Sequence, residues 1–129
     1  MPLKEQLAEY RAGWCKRVPP ERQAIMQRHI EQLRAGAIAR TTLKVGERAP
    51  AIVLKNAKGE TVDVANLLKK GPVIVTFYRG GWCPYCNLEL KAYQEVLPEI
   101  VAAGAALVAI SPEKPDDTLS TAEKNALAF

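Results

Sequence analysis

The chain has 129 residues, 48% hydrophobic and 25% charged, with 9 Pro and 8 Gly, a composition that excludes collagen-like, low-complexity and disordered classes. Its 18 Lys and Arg outnumber 14 Asp and Glu for a net charge of +4, but Lys4, Arg11, Arg22, Arg34, Lys44, Lys58, Lys69 and Lys91 lie scattered among acids, without the clustering that a nucleic-acid surface needs. Three cysteines are too few, and odd in number, for a disulfide-stapled secreted scaffold.

The first six residues carry acid and amide where a signal peptide needs an apolar core. The longest apolar stretch, Ile100 to Ile110, is broken by Gly104 and falls short of the ~20 residues of a membrane span. A cytoplasmic location is expected, where thiols stay reduced.

Leu3, Leu7 and Tyr10 share one face of a first helix. Val18-Pro19-Pro20-Glu21 breaks it and starts a second, since Pro is tolerated in a first helical turn. Ile25, Met26, Ile30 and Leu33 line one face of that second helix, and Gly36 stops it. Trp14 and Cys15 are expected to be a packing aromatic beside a small buried thiol.

From Val45 the texture changes. The run from Ala51 to Lys55, the turn Asn56-Ala57-Lys58-Gly59 and Thr61 to Val64 read as a hairpin. A short helical segment from Ala65 to Lys70 ends at Gly71-Pro72. Val73-Ile74-Val75-Thr76-Phe77-Tyr78 has the β-branched and aromatic character of a strand buried on both faces. Cys86, Leu90, Tyr93, Leu97 and Ile100 repeat at helical spacing, and Ala106 to Ile110 is a second buried strand. Strand, helix, strand implies a right-handed crossover with a parallel pair. After the loop Ser111 to Asp117, Asp117 or Thr118 is expected to cap a last helix.

Between that strand and helix lies Arg79-Gly80-Gly81-Trp82-Cys83-Pro84-Tyr85-Cys86. Two cysteines three apart in a first helical turn can close a disulfide, and the free N–H groups and positive dipole end favour a thiolate there. A thiol so placed can titrate well below the ordinary ~8.5 and become nucleophilic at neutral pH. Pro84 stiffens the loop, the glycine pair lets it turn, and Arg79 offers a cation. Trp82 and Tyr85 either stack on a substrate or partner or shield the thiols. Cys83 and Cys86 would be half a zinc site, with Cys15 and His29 the remaining soft candidates; no metal is assigned.

The stretch Val45-Gly46-Glu47-Arg48-Ala49-Pro50, the strand Val73 to Tyr78, the Trp82 to Cys86 junction, and Leu107-Val108-Ala109-Ile110-Ser111-Pro112 together resemble the peroxiredoxin-like branch of the thioredoxin superfamily. This is the alkyl hydroperoxide reductase/thiol-specific antioxidant group, or redoxins. The resemblance implies an α/β thioredoxin-like, peroxiredoxin-type core over residues 45–129, with residues 1–44 as an N-terminal helical extension. It implies thiol chemistry on hydroperoxides or disulfides with no bound cofactor and with a dithiol electron donor of thioredoxin or glutathione type.

Two registers follow from it. The family's Pro-x-x-x-Thr-x-x-Cys motif places its reactive Cys on Cys86, its Thr on Cys83 and its Pro on Arg79, so both supporting residues are replaced. The thioredoxin pattern instead makes Cys83 the exposed attacking thiol and Cys86 the resolving one. In either register Cys83 and Cys86 are the catalytic residues, with Arg79, Trp82, Pro84 and Tyr85 in support.

Such folds continue with two antiparallel strands, a cis-proline loop and a final helix. The chain stops on Leu127-Ala128-Phe129, so a domain shortened at its C-terminus is expected, with an open sheet edge prone to pair with a second copy. The expected function is a thiol-disulfide oxidoreductase or antioxidant working through the Cys-Pro-Tyr-Cys dithiol. The alternative is a non-enzymatic binding module of the same fold, either redox-inert or stapled by zinc through Cys83 and Cys86.

Overall fold

The computed structural model describes residues 1–38 and 40–129 in full and residue 39 by its backbone. It divides into two compact units, Met1–Pro50 and Ala51–Phe129.

The first unit is helical: α1 (Leu3–Arg17), α2 (Pro20–Ala35) and a short α3 (Ile38–Thr41) that the apolar pattern does not announce. Pro20 opens α2 at a position where no N–H is needed. The Gln23 side chain donates to the carbonyls of Cys15 (2.8 Å) and Val18 (2.7 Å), holding the turn between the helices. Gly36 ends α2, its N–H donating to Gln32 and Leu33 carbonyls. Cys15 is exposed, against the expected buried thiol. The first two helices of this unit bury none of their residues, because a pair of helices alone encloses too little volume to cover a side chain on every side.

The second unit starts with the expected hairpin, β1 (Val53–Lys55) antiparallel to β2 (Thr61–Asp63). Asn56 builds its turn: the side-chain Oδ1 accepts from the N–H of Lys58 (3.0 Å) and of Glu60 (2.9 Å). Asp63 caps α4 (Val64–Leu68), accepting from the Ala65 N–H at 2.9 Å. Then come β3 (Val73–Phe77), α5 (Pro84–Ala102), β4 (Ala106–Ile110) and α6 (Pro115–Lys124). β3 and β4 are parallel, with Val73 opposite Ala106 and Phe77 opposite Ile110. The crossover helix α5 ends at Ala103, and Gly104 takes φ +76 to reverse the chain into β4.

Two expectations are corrected. β3 is not buried on both faces, since Phe77 is 69% exposed; β3 has β4 as its strand neighbour in a two-stranded sheet, so one edge stays uncovered. β4 likewise buries Leu107 alone. The last helix starts earlier than Asp117: Lys114 is its cap residue and Pro115 its first residue. Pro fits there because its fixed φ is already helical, and Asp116 and Asp117 complement the dipole from within the first turn.

The core of this unit gathers Tyr78, Cys83, Cys86 and Leu90, with Tyr85, Ala109, Leu127 and Phe129 packed against them. Behind α5, the Ala128 N–H donates to the Gln94 side chain at 2.7 Å and holds the final residues in place.

Candidate functional site

β3 ends at Phe77, and Tyr78 extends the pairing by donating its N–H to the Ile110 carbonyl at 3.0 Å. The chain then turns through Arg79-Gly80-Gly81-Trp82 before α5 begins. Gly81 is required there by space: a Cβ would run into the Thr121 hydroxyl. Cys83 is the cap residue of α5 and Pro84 its first residue, so the two cysteines occupy the cap and first turn as their spacing predicts.

Both thiols are free and buried, Cys83 at 1% and Cys86 at 9% exposure. The exposed attacking thiol of the thioredoxin register is therefore not what the fold presents at Cys83. The Cys83 sulfur instead accepts from the Arg79 guanidinium (Nη2, 3.2 Å) and from the Cys86 N–H (3.5 Å). Burial alone would raise the Cys83 thiol. Hydrogen bonds from the Cys86 thiol and N–H, and from Arg79, outweigh it and hold Cys83 below the ordinary range. Cys86 goes the other way. Burial and the neighbouring Cys83 sulfur raise it, and the backbone N–H groups of Arg79 and Gly80 only partly pull it back. One turn of helix thus separates a thiol held below the ordinary range from one held above it, an arrangement able to divide attack from resolution.

A consequence can be measured. A lowered thiol reaches its reactive form at lower pH, so alkylation of Cys83 is expected to set in at lower pH than alkylation of Cys86. Arg79→Gln removes a charged donor from Cys83 and is expected to move the Cys83 onset upward while slowing its neutral-pH alkylation severalfold. Peptide-mapped alkylation across pH checks both, and coincident profiles in the wild-type chain would contradict the assignment.

Arg79 also lies over the Trp82 ring, 5.0 Å from its centre. Trp82 is 69% exposed, so it does not shield the thiols. Arg79 and Trp82 line a cleft of about 690 Å³ with Glu113, Lys114 and Thr121. Tyr85 is half-buried against the core cluster.

Sequence reasoning missed a polar group on the far side of the turn. The Glu113 carboxylate accepts from the Tyr78 hydroxyl (2.9 Å), the Thr121 hydroxyl (3.2 Å) and the Gly81 N–H. Burial, and then the Glu113 carboxylate, push the Tyr78 phenol up to about 12. Asn87 donates to the Gly81 carbonyl at 2.8 Å and accepts from Asn125 at 2.9 Å. Nothing in the spacing of Glu113 or Asn125 announces this; only the β3–α5–β4 crossover brings them beside the turn. Among the described residues, no three His, Cys, Asp or Glu side chains gather as a metal-ligand set, and no helix is long and apolar enough to cross a membrane.

A family model described as the AhpC/TSA family matches residues 45–129. Peroxiredoxin Bcp of Escherichia coli is 31% identical over 87 residues, 67% of this chain and 55% of that protein. Thiol-disulfide oxidoreductase ResA of Halalkalibacterium halodurans is 29% identical over 80 residues, 62% of this chain and 44% of that one. The crystal structure of peroxidoxin BcpB from Mycobacterium tuberculosis matches with a TM-score of 0.64 at 24% identity, covering 68% of this chain and 57% of that one. That likeness shows a shared fold. The chain spans about half the length of the curated relatives it matches.

Proposed function

The chain belongs to the AhpC/TSA family, and from that premise we propose that it is a thiol-dependent oxidoreductase that reduces hydroperoxides, or small disulfides, through the Cys83–Cys86 dithiol. Cys83 is the attacking thiolate and Cys86 the resolving thiol. The observation that carries this reading is the convergence of Arg79 and the Cys86 N–H on the Cys83 sulfur.

With a hydroperoxide, the Cys83 thiolate attacks the terminal peroxide oxygen and the O–O bond breaks. The alkoxide takes a proton and leaves as an alcohol, and Cys83 becomes a sulfenic acid. The Cys86 thiol then attacks the Cys83 sulfur, forming the Cys83–Cys86 disulfide and releasing water. An external dithiol donor, of thioredoxin or glutathione type, returns two electrons by exchange and becomes a disulfide itself. Arg79, 3.2 Å from the Cys83 sulfur, stabilises the starting thiolate and is the cation available to the negative charge that develops on the leaving oxygen. Pro84 fixes the first turn of α5, Trp82 stacks under the Arg79 guanidinium, and Tyr85 packs against the core cluster that holds the thiols. The buried sulfur favours a small oxidant over a folded protein disulfide. Names among the relatives point the same way, one a peroxiredoxin and one a thiol-disulfide oxidoreductase.

The test is an intact mass and thiol count of the reduced chain before and after one equivalent of hydrogen peroxide. The expected product has lost two hydrogens, with the new bond mapped to Cys83 and Cys86 and with Cys15 still free. An unchanged mass with all three thiols titrating would sink the proposal.

A further inference from the structure

The Gly81 peptide is gripped at both ends. Its N–H donates to Glu113 and its carbonyl accepts from Asn87 at 2.8 Å. Glu113 is in turn held by the Tyr78 hydroxyl, just past the end of β3, at 2.9 Å, and lies 3.2 Å from the Thr121 hydroxyl on α6, whose one proton is shared with the Asp117 carbonyl at 2.9 Å. Thr121 and Asn125 are the buried residues of that end of the chain, and Asn125 closes the circuit by donating to Asn87 (2.9 Å) and to the Thr121 carbonyl (3.0 Å). Cys83 follows two residues after Gly81, and its N–H donates back to Gly80 at 3.0 Å. The placement of Gly81 therefore bears on the direction in which the Cys83 sulfur points.

We propose that Glu113 is a positioning residue of the thiol centre: by collecting the Gly81 N–H and the Tyr78 and Thr121 hydroxyls, its carboxylate fixes the Gly80–Trp82 turn, so that the Cys83 sulfur stays aligned with the Arg79 guanidinium and the Cys86 N–H. This rests on Cys83 being the attacking thiol. Glu113 touches neither sulfur among its hydrogen bonds, so it acts through backbone placement. Hydrogen bonds to a thiolate weaken steeply with distance and angle, and misplacement of even an ångström is enough to lose most of their effect.

Position and charge predict opposite signs. Glu113 is an anion near the centre, in a cleft shared with Lys114, Asp117 and Lys124 and facing Arg79 and Tyr78. Removing its charge alone would favour the Cys83 thiolate and move the reactive form to lower pH. Removing its grip on Gly81 would loosen Arg79 and the Cys86 N–H from the sulfur and move it to higher pH.

The experiment is alkylation of each cysteine across pH in the reduced 129-residue chain, mapped by mass spectrometry, with circular dichroism to confirm folding. Glu113→Ala is expected to slow neutral-pH alkylation of Cys83 by about tenfold and shift its profile upward. Glu113→Gln keeps an acceptor oxygen for Gly81 and is expected to stay within about twofold of wild type. A Glu113→Ala profile that is unchanged or moves to lower pH overturns the role, as does a Glu113→Gln variant as slow as Glu113→Ala. Should Glu113→Ala not fold, Tyr78→Phe decides, since it removes the 2.9 Å hydroxyl donor to Glu113: slower Cys83 alkylation supports the role, and an unchanged rate overturns it. Thiol reactivity is read here without turnover. A wild-type Cys83 no more reactive than Cys86 would remove the proposed function, whereas a reactive Cys83 indifferent to these substitutions removes only the positioning role.

Discussion

Cys83→Ser is expected to reduce hydroperoxide consumption by at least about a thousandfold, because a serine hydroxyl in the same place is neither ionised at neutral pH nor nucleophilic toward peroxide oxygen. Cys86→Ser is expected to fail differently. Its hydroxyl can still donate toward Cys83, and the Cys86 N–H remains, so the first attack proceeds. With no resolving thiol, the reaction stops after one equivalent of oxidant with Cys83 as a sulfenic acid, seen as a gain of one oxygen and trapped by a carbon nucleophile such as dimedone. Single-turnover mass spectrometry on both variants separates the two registers. If Cys86 were the attacking thiol, Cys83→Ser would be the variant that gains one oxygen and Cys86→Ser the inert one. The lowered Cys83 and raised Cys86 thiols argue for the first pattern.

The strand-to-helix junction that carries the two cysteines was legible because its signal is local. A β-branched strand, a glycine pair and Cys-x-x-Cys ahead of an amphipathic helix fix a strand-to-helix junction by propensity and capping alone, and the thioredoxin-like α/β expectation agrees with the fold shared with BcpB. The hairpin was equally local, since Asn56 and Gly59 specify its turn within five residues. Burial was legible only in part. Phe77 and Ile74 read as core residues because aromatic and β-branched side chains look the same on a covered strand and an uncovered one, and only what packs over each face of the sheet distinguishes them. Cys15 misled for a related reason: a small thiol beside a tryptophan looks buried until the volume around its helix is known. Glu113, Thr121 and Asn125 were invisible for the opposite reason. Each is an ordinary polar residue of a loop or helix, and its role exists only once α6 lies beside the Gly81 turn.

The same geometry makes the thiol centre inseparable from the core of residues 51–129. Leu90, one helical turn beyond Cys86, is 1% exposed and belongs to the cluster with Tyr78, Cys83 and Cys86. Leu90→Ala is expected to cost about 2–5 kcal/mol, from lost transfer energy and an incompletely collapsed cavity. A unit of this size has a total stability of about 4–12 kcal/mol, so the variant is expected to approach the edge of folding. Its urea midpoint should fall sharply, and Cys86 should lose its protection from alkylation under native conditions. Leu107→Ala is the matched comparison, since Leu107 is also buried but lies on β4, outside the thiol cluster. It should lower the urea midpoint comparably while leaving the ratio of Cys83 to Cys86 alkylation rates unchanged wherever the chain is folded. If Leu90→Ala left that ratio as it is in wild type, or Leu107→Ala disturbed it equally, the thiols would owe their reactivity to overall folding and not to the packing of α5 beneath them. The two cysteines belong to a core that they help to form, so substitutions that loosen the core are expected to change thiol reactivity before they abolish the fold.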